Sequence, residues 1–292
     1  MNLMKGILLA GGKGTRLNPA TLAVSKQLLP IYDKPMVYYP LSTLMLAEIR
    51  DILLITTEFD VFRFKKLLGN GNKWGLNISY AVQNKPNGIA EAFIIGEKFI
   101  NNENCALILG DNIFYGNELS RDLISAKNFL GASIFSSQVR DPHRYGIIEF
   151  NQNQKPVKLI EKPTENVSNH AITGLYFFDK DVVSFAKDLK PSKRGELEIT
   201  DILKVYLEQN RLNVNKLGRG HAWLDTGTHD SLLEASQFVA TLEHRQGLKI
   251  SCPEEIAYKK SYISSDQLKS IALQYKKSNY GNYLLSLLGD KN

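Results

Sequence analysis

Short apolar runs alternate with helical patterns through the first half of the chain. The runs that indicate strands cover residues 5–10, 51–56, 78–82 and 105–109. The helical patterns between them cover residues 36–47, 62–68 and 89–99. Because these strand runs are nearly continuous in apolar residues, they predict a parallel sheet that is covered on both faces. The pattern is typical of the doubly wound α/β class, whose ligands bind beyond the carboxyl ends of the strands.

The second half is richer in strands and then becomes helical. Further strands are predicted over residues 132–139, 146–150, 157–161 and 171–178, with a hairpin tip at 151–154. A helix is predicted over residues 231–245, and Gly247 is expected to end it. A second helix is predicted after a capping box at Ser264 and Gln267, and a third over residues 280–288. We expect one α/β domain over residues 1–240, with halves at about 1–130 and 131–230. A helical C-terminal appendage is expected over 241–292.

Composition and charge narrow the class of protein. The 292 residues are 43% hydrophobic and 23% charged, which excludes a disordered or collagen-like chain. The net charge of +6 suits a phosphate-bearing small substrate, and no Lys/Arg run has the density of a nucleic-acid-binding arm. Two cysteines cannot form a disulfide framework, and the apolar runs are too short to span a membrane. A soluble, cytoplasmic protein with no nucleic-acid or membrane partner is expected.

A glycine-rich loop follows the first predicted strand. Glycines at 11, 12 and 14 let backbone N–H groups approach phosphate oxygens, because glycine tolerates positive φ. A Walker A loop would need Ser or Thr after Gly12-Lys13, where Gly14 stands, and the dinucleotide fingerprint would need Gly or Ala at Leu17. A tight connection with no ligand remains the alternative. Arg16 and Lys26, cations close to the loop in sequence, favour phosphate binding.

Several polar residues follow predicted strands and are candidates for binding. Asp111 and Asp225 each come after an apolar run and could converge on one Mg²⁺; the alternative is that they cap a turn and a helix. The Gln83 amide could pair with the polar edge of a base or be an exposed strand-end amide. Glu161 and Lys162 are adjacent in a strand pattern, so we expect their side chains to point to opposite faces.

Ten motifs, taken in their order along the chain, closely resemble the sugar-1-phosphate nucleotidyltransferases. They lie at residues 11–17, 25–30, 32–36, 109–116, 141–146, 161–163, 173–176, 194–201, 222–228 and 252–258. The resemblance covers nearly the whole chain. It implies a Rossmann-like nucleotidyltransferase fold, in which the first half binds the nucleotide and the β-rich half is a sugar-binding insertion.

The resemblance also implies a reaction. Glucose 1-phosphate would attack the α-phosphorus of dTTP, giving dTDP-glucose and pyrophosphate, as the first step toward dTDP-L-rhamnose or a related dTDP-sugar. Arg16 would hold the leaving pyrophosphate, Lys26 the triphosphate, and Lys162 would bridge the two reacting phosphates. Mg²⁺ would be bound by Asp111 and Asp225.

The remaining site residues are carried over by position. The nucleotide set is Gly11, Gly12, Gly14, Thr15, Gln27, Gln83, Pro86 and Gly88. The sugar-phosphate set is Asn112, Gly146, Glu161, Gly174, Tyr176 and Arg194, with Tyr176 acceptable equally as a core aromatic. One departure is Glu91, which stands where the family more usually has Gln. UTP is an expected second donor, because uracil lacks only a methyl group and an apolar contact rejects it by roughly 1–3 kcal/mol.

The resemblance further implies a homotetramer with a second nucleotide site, through which the pathway product inhibits. Residues matching that site are Tyr115, Gly116, Arg219, Glu255, Ile256 and Lys259, with Lys259 where Arg is common. Two other functions stay open: a uridylyl- or thymidylyltransferase for another hexose 1-phosphate, and a non-catalytic nucleotide-sugar sensor. The broken glycine fingerprint disfavours a pyridine-nucleotide oxidoreductase.

Overall fold

The elements follow the predicted alternation of strands and helices. A computed structural model of the chain describes residues 4–12 and 14–289, so Lys13 of the glycine loop lies outside it. The strands are β1 (Met4–Ala10), β2 (Pro30–Ile31), β3 (Lys34–Pro35), β4 (Asp51–Thr56), β5 (Asn77–Val82), β6 (Asn104–Leu109), β7 (Asn112–Gly116), β8 (Ala132–Gln138), β9 (Gly146–Phe150), β10 (Pro156–Glu161), β11 (His170–Phe178), β12 (Leu212–Lys216) and β13 (His221–Asp225). The helices are α1 (Tyr38–Leu46), α2 (Glu58–Leu68), α3 (Glu91–Ile95), α4 (Glu97–Ile100), α5 (Leu119–Lys127), α6 (Val182–Asp188), α7 (Ile199–Glu208), α8 (His229–Gln246), α9 (Pro253–Lys259), α10 (Ser265–Gln274) and α11 (Asn279–Ser286).

The central sheet has nine strands and confirms the doubly wound α/β prediction. Its parallel part has the order β5-β4-β1-β6. Antiparallel β11 pairs with β6 and with the β-rich half, and β10 and β12 lie at the edges. From β1 the chain moves outward through β4 and β5 and then returns to β6 on the other side of β1. The carboxyl ends of β1 and β6 therefore lie at the topological switch point, where ligands of this class bind.

Buried side chains form a core on each face of the sheet. Neighbouring residues Ile7 and Leu8 of β1 point to opposite faces and are both fully buried. Ile7 belongs to the cluster under α3, α6 and α7, and Leu8 to the cluster that includes α1 and α5. Helices α9 to α11 add Ala257, Leu268 and Leu284 to that second cluster, so the C-terminal helices pack on the sheet of their own chain.

A third cluster places α8 beside the site. Ala235 and Val239 of α8 pack with Ile31 and Met36 near the β2–β3 hairpin and with Ile113 of β7. Helix α8 begins at a capping box between Thr228 and Ser231 and ends at Gly247, whose φ is +70°. The predicted end of this helix and the predicted capping box of α10 are both confirmed.

One helix prediction was wrong, and one pair of strands was not predicted. The helix predicted over 89–99 is two short helices, α3 and α4, which meet at Gly96. A Cβ at Gly96 would lie 2.9 Å from the carbonyl of Ala92 and 3.1 Å from Ile7, because the chain passes close to β1 there. The pair β7–β13 was not predicted as strands over its full length. No helix in the described part of the chain has both the length and the apolar character needed to cross a bilayer.

Candidate active site

The glycine loop leaves β1 at the switch point and turns sharply. Gly12 and Gly14 have φ of +97° and +58°, values that favour glycine, and Gly14 leads into a 3-10 turn at Thr15–Leu17. The Thr21 hydroxyl donates to the Gly14 carbonyl at 2.8 Å and fixes the turn. Because no α-helix begins here, phosphate binding would depend on the loop N–H groups and on nearby cations.

Asp111 and Asp225 are brought together by the pairing of β7 with β13. In that antiparallel ladder Asp225 lies opposite Asn112, one residue after Asp111. The backbone N–H and hydroxyl of Thr226 both donate to the Asp111 carbonyl, at 3.2 and 3.0 Å. The side chain of Thr228, not that of Asp225, caps α8. The alternative of Asp225 as a helix cap is therefore wrong, and both carboxylates line one cavity.

Each of these carboxylates is paired with a cation. Lys26, only 7% exposed, donates from Nζ to Asp111 Oδ2 at 2.6 Å. Arg144 donates from Nη2 to Asp225 Oδ2 at 2.9 Å, and the Tyr145 hydroxyl donates to Oδ1 at 3.0 Å. Burial, helped by the charge of Asp225, raises the pKa of Tyr145, so this hydroxyl stays a proton donor.

Arg16 lies beside this pair. A Cβ built on Gly227 would be 3.2 Å from Asp225 Oδ2, 3.3 Å from Arg144 Nη2 and 3.7 Å from Arg16 Nη1. Two guanidinium groups and a carboxylate therefore surround Gly227, and a residue with a side chain there would occupy the space between them. The exposed Arg16 side chain is well placed to meet an anion that enters the cavity.

The cavity has a volume of about 400 Å³ and joins most of the predicted site. The predicted residues in its lining are Gly11, Gly12, Gly14, Thr15, Arg16, Lys26, Gln27, Asp111, Asn112, Gly146, Glu161, Lys162, Gly174, Tyr176, Arg194 and Asp225. The segment from the end of β5 to Ile89 carries Gln83, Pro86 and Gly88. None of these three residues lines the cavity, whereas Ile89 does. Tyr176 agrees with both interpretations, a site residue and a core aromatic. It is 4% exposed and packs in the core, and it also lines the cavity.

Asn112 connects the two halves of the cavity. Its Oδ1 accepts from the Gly174 N–H at 3.0 Å and from Trp223 Nε1 at 2.6 Å. Its Nδ2 donates to Asp111 Oδ1 at 3.0 Å. A Cβ at Gly174 would lie 2.6 Å from Asn112 Oδ1, so glycine is required for this contact. Asn112 therefore orients Asp111 and holds the sugar-side strand β11 against β7.

The sugar side is a cluster of charged groups. Glu161 accepts from the Thr200 hydroxyl at 3.2 Å and lies 3.7 Å from Arg194, which is itself 3.3 Å from Glu198. Burial raises the pKa of Glu161, and repulsion from Glu198 adds to that effect. A half-buried carboxylate with neighbouring donors is suited to binding sugar hydroxyls.

The expectation that Glu161 and Lys162 point to opposite faces is wrong. Strand β10 ends at Glu161, and Lys162 has a φ of +42°, so the alternation of a strand does not extend to it. Its backbone N–H donates to the Tyr145 carbonyl at 3.0 Å, and Nζ lies 4.0 Å from Glu161 Oε1. Both side chains face the same cavity.

Replacing Glu161 with Gln is expected to increase the free energy of unfolding at pH 7. Because the folded-state pKa of Glu161 is raised, the folded protein binds more protons than the unfolded chain above the ordinary value of 4.5. Stability of the unaltered protein therefore falls as pH rises from 4.5 through the raised pKa, and Glu161→Gln escapes this loss. Urea unfolding of both proteins at pH 4.5 and pH 7 measures the difference in free energy of unfolding. The variant should exceed the unaltered protein by more at pH 7 than at pH 4.5. The exposed Glu208→Gln is the control, and an advantage that is equal at both pH values would contradict the expectation.

The six residues expected at a regulatory site lie outside the lining of this cavity. Tyr115 and Gly116 end β7, at the end opposite Asp111, and the exposed Arg219 precedes β13. Glu255, Ile256 and Lys259 lie on α9. Glu255 is 9% exposed and binds Lys259 at 2.6 Å and the Tyr283 hydroxyl at 2.7 Å.

Sequence reasoning missed Arg144 and Tyr145 as site residues. Arg144 is the last residue of the 3-10 turn that begins at Pro142, Tyr145 follows it, and both bind Asp225. They lie within the motif at 141–146 that carries the resemblance, so their position in that motif was the available signal. Their contact with Asp225, about eighty residues away in sequence, was not visible in the chain.

Comparisons with known proteins agree on one family. The family model described as nucleotidyl transferase matches residues 5–241. A glucose-1-phosphate thymidylyltransferase from Neisseria meningitidis serogroup A is 57% identical over 286 residues, covering 98% of this chain and 99% of the relative. One from Mycobacterium tuberculosis strain H37Rv is 55% identical over 285 residues, with 98% and 99% covered.

Solved structures share the fold. A crystal structure from Bacillus anthracis, described as a glucose-1-phosphate thymidylyltransferase in complex with a sucrose, has a TM-score of 0.74 and is 41% identical. The match covers 80% of this chain and 94% of that one. A UDP-glucose pyrophosphorylase complexed with UDP-glucose has a TM-score of 0.71 at 24% identity, covering 82% and 99%, and supports the fold alone.

Proposed function

Since the chain belongs to the nucleotidyl transferase family, we propose that its cavity carries out the glucose-1-phosphate thymidylyltransferase reaction for which its relatives are named. In this reaction a phosphate oxygen of glucose 1-phosphate attacks the α-phosphorus of dTTP. The new bond is P–O, and the bond that breaks joins the α-phosphorus to the oxygen bridging to the β-phosphate. The products are dTDP-glucose and pyrophosphate.

The observation that carries this proposal is the grouping of charges at one cavity. Arg16, Lys26 and Lys162 line it together with the carboxylates of Asp111 and Asp225. Two anionic reactants repel each other, and cations fixed in a partly enclosed site reduce that repulsion before the reaction begins. A non-catalytic sensor of nucleotide sugars would not need a pair of carboxylates beside the phosphate-binding cations.

The chemistry needs little from the protein beyond alignment and neutralisation of charge. The attacking oxygen is already an anion, so no general base and no covalent enzyme intermediate is required. Arg16 would bind the departing pyrophosphate, Lys26 the triphosphate, and Lys162 the two phosphates that react. The glycine loop would contribute N–H groups to the same oxygens.

Asp111 and Asp225 fit a Mg²⁺ ion. Asp111 directly precedes β7, Asp225 ends the paired strand β13, and both line the cavity. Mg²⁺ is a hard ion that prefers oxygen ligands. Among the described residues, no group of three or more His, Cys, Asp or Glu side chains could hold a metal. Substrate phosphates and water would thus complete the coordination, as is usual for Mg²⁺. When bound, the ion would neutralise charge on the α-phosphate, and Lys26 and Arg144 keep the two carboxylates oriented.

Glucose 1-phosphate would bind on the sugar side. Glu161 would accept hydrogen bonds from ring hydroxyls, Gly146 and Gly174 line the cavity beside it, and Arg194 lies close enough to orient Glu161. The Tyr176 ring forms part of the apolar wall. The base of dTTP would lie toward Ile89, beyond the glycine loop.

Incubation with Mg²⁺, glucose 1-phosphate and one of dTTP, UTP, ATP, CTP or GTP tests the proposal. We expect dTDP-glucose from dTTP, a smaller yield of UDP-glucose from UTP, and loss of both on addition of EDTA. Galactose 1-phosphate and mannose 1-phosphate in place of glucose 1-phosphate test the alternative acceptors. Absence of any nucleotide sugar would favour the sensor, and activity unaffected by EDTA would contradict the magnesium site.

Assembly and regulation extend the proposal. A homotetramer with a second nucleotide site, acting in the cytoplasm, is proposed from the resemblance. Tyr115, Gly116 and Arg219, together with Glu255, Ile256 and Lys259 of α9, are the candidate residues for that site. Inhibition of dTDP-glucose synthesis by dTDP-rhamnose would support this assignment, and unchanged activity at saturating dTDP-rhamnose would count against it.

A further inference from the structure

We propose that Glu91 is a positioning residue that sets the base preference of the enzyme by fixing the orientation of the Gln83 amide. The inference deepens the proposed function and depends on it, since it concerns the base of the donor nucleotide. Glu91 is not in the cavity lining. It would act through Gln83, which is buried with 7% of its surface exposed.

The partners of Gln83 decide which way its amide points. Nε2 donates to Glu91 Oε2 at 2.7 Å and faces the Gly88 carbonyl at 3.4 Å. Both of these neighbours are acceptors. If the amide were rotated by half a turn, Oε1 would face two oxygen atoms and neither hydrogen bond could form. The amine end of Gln83 is therefore held toward α3.

The carbonyl end of Gln83 points toward the glycine loop. A Cβ built on Gly11 would lie 2.6 Å from Gln83 Oε1, and Gly11 lines the nucleotide cavity. Glycine at this position leaves room for Oε1 beside the loop. The end of the amide that reaches the nucleotide side is thus a hydrogen-bond acceptor.

Glu91 is itself held in place. Asn87 Nδ2 donates to its second oxygen, Oε1, at 2.8 Å. The Asn87 carbonyl in turn accepts from the Leu197 N–H at 2.7 Å. Gly88 has a φ of +112° and approaches Leu197 so closely that a Cβ would lie 2.3 Å from its carbonyl oxygen. The segment that carries Gln83 and Glu91 is therefore anchored to the β-rich half.

Base chemistry gives this orientation a consequence. Thymine and uracil carry a hydrogen on N3 and can donate it to Gln83 Oε1, whereas N3 of cytosine is an acceptor and would face a second lone pair. An ionised carboxylate cannot donate, so Glu91 can bind only the amine end of Gln83. The pair should reject cytosine nucleotides strongly and should not separate thymine from uracil.

Glu91→Lys tests the inference because lysine has donors and no acceptor. It should draw Oε1 of Gln83 toward α3 and turn the amine end toward the base. We expect the ratio of kcat/KM for dTTP to that for dCTP to fall by about 10²-fold or more, because a hydrogen bond at the base is both lost and inverted. Glu91→Gln retains an acceptor for Gln83 Nε2 and should keep the ratio within about tenfold of the unaltered protein.

Two controls separate this effect from others. Glu97→Lys makes the same charge change on α4, where Glu97 contacts the exposed Lys187, and should leave the ratio unchanged. In a Gln83→Ala background, Glu91→Lys should no longer alter the ratio, because the amide through which it acts is absent. Equilibrium binding of dTTP and dCTP without glucose 1-phosphate provides a readout that does not need turnover. If Glu91→Lys folds poorly, the same binding measurement is made on Glu91→Ala.

The outcomes are distinguishable. If the unaltered protein forms no dTDP-glucose but Glu91→Lys changes the relative binding of dTTP and dCTP, the proposed function fails, and only the orientation of the Gln83 amide by Glu91 is supported. If the unaltered protein is active and neither Glu91→Lys nor Glu91→Ala changes the ratio in turnover or binding, the inference is overturned. A change of equal size in the Gln83→Ala background would also overturn it.

Discussion

Lys162→Ala is expected to lower kcat by about 10²–10³-fold, the usual cost of removing one electrostatic partner of a transition state. Lys162 follows β10, lines the cavity, and carries the charge that would bridge the two reacting phosphates. Its side chain is 41% exposed and lies 4.0 Å from Glu161, so its removal should leave the free energy of unfolding almost unchanged. Steady-state kinetics with dTTP and glucose 1-phosphate measure the loss, and urea unfolding checks the fold.

Lys158→Ala is the matched control. Lys158 is an exposed lysine on β10, the strand that precedes Lys162, and it is absent from the cavity lining, so its replacement should leave kcat unchanged. A purified, folded Lys162→Ala variant with the turnover of the unaltered protein would contradict the assigned role.

Arg16→Ala is also expected to lower kcat by about 10²–10³-fold, but with different effects on the KM values. Arg16 lies next to Gly227 and Asp225 and would hold the β- and γ-phosphates that leave as pyrophosphate. Its loss should therefore raise KM for pyrophosphate in the reverse reaction and lower kcat in the forward one, while KM for glucose 1-phosphate changes little.

The control for Arg16→Ala is Arg121→Ala. Arg121 is an exposed arginine on α5 whose guanidinium pairs with Glu118. This variant should keep the forward and the reverse kinetics of the unaltered protein. An Arg16→Ala variant that raised KM for glucose 1-phosphate and left KM for pyrophosphate unchanged would contradict this role, because Arg16 would then bind the sugar phosphate.

The sheet could be predicted from the chain because its strands are buried on both faces. The run at Asp51–Thr56 has the predicted bounds, because its four central side chains are apolar and all four are buried. The helix predicted from residue 62 begins instead at Glu58, because the Thr57 side chain caps it by accepting from the Asp60 N–H at 3.3 Å. The start of this helix is set by the side-chain cap, and the spacing of apolar residues alone does not predict it.

The site could be predicted only in part because its key contacts join distant residues. The pairing of β7 with β13 brings Asp225 beside Asp111, and no local pattern specifies that pairing. The positive φ of Lys162 ended the alternation on which its predicted direction depended. The partnership of Gln83 with Glu91 also depends on the close approach of Gly88 to Leu197, which joins segments about one hundred residues apart.

A crystal structure with Mg²⁺, glucose 1-phosphate and a non-hydrolysable dTTP analogue tests the central claim most directly. We expect both reactants in the cavity at the switch point, with Arg16, Lys26 and Lys162 around the phosphates and a metal ion between Asp111 and Asp225. Reactants bound in separate regions, with these five side chains directed away from a common phosphorus atom, would contradict it.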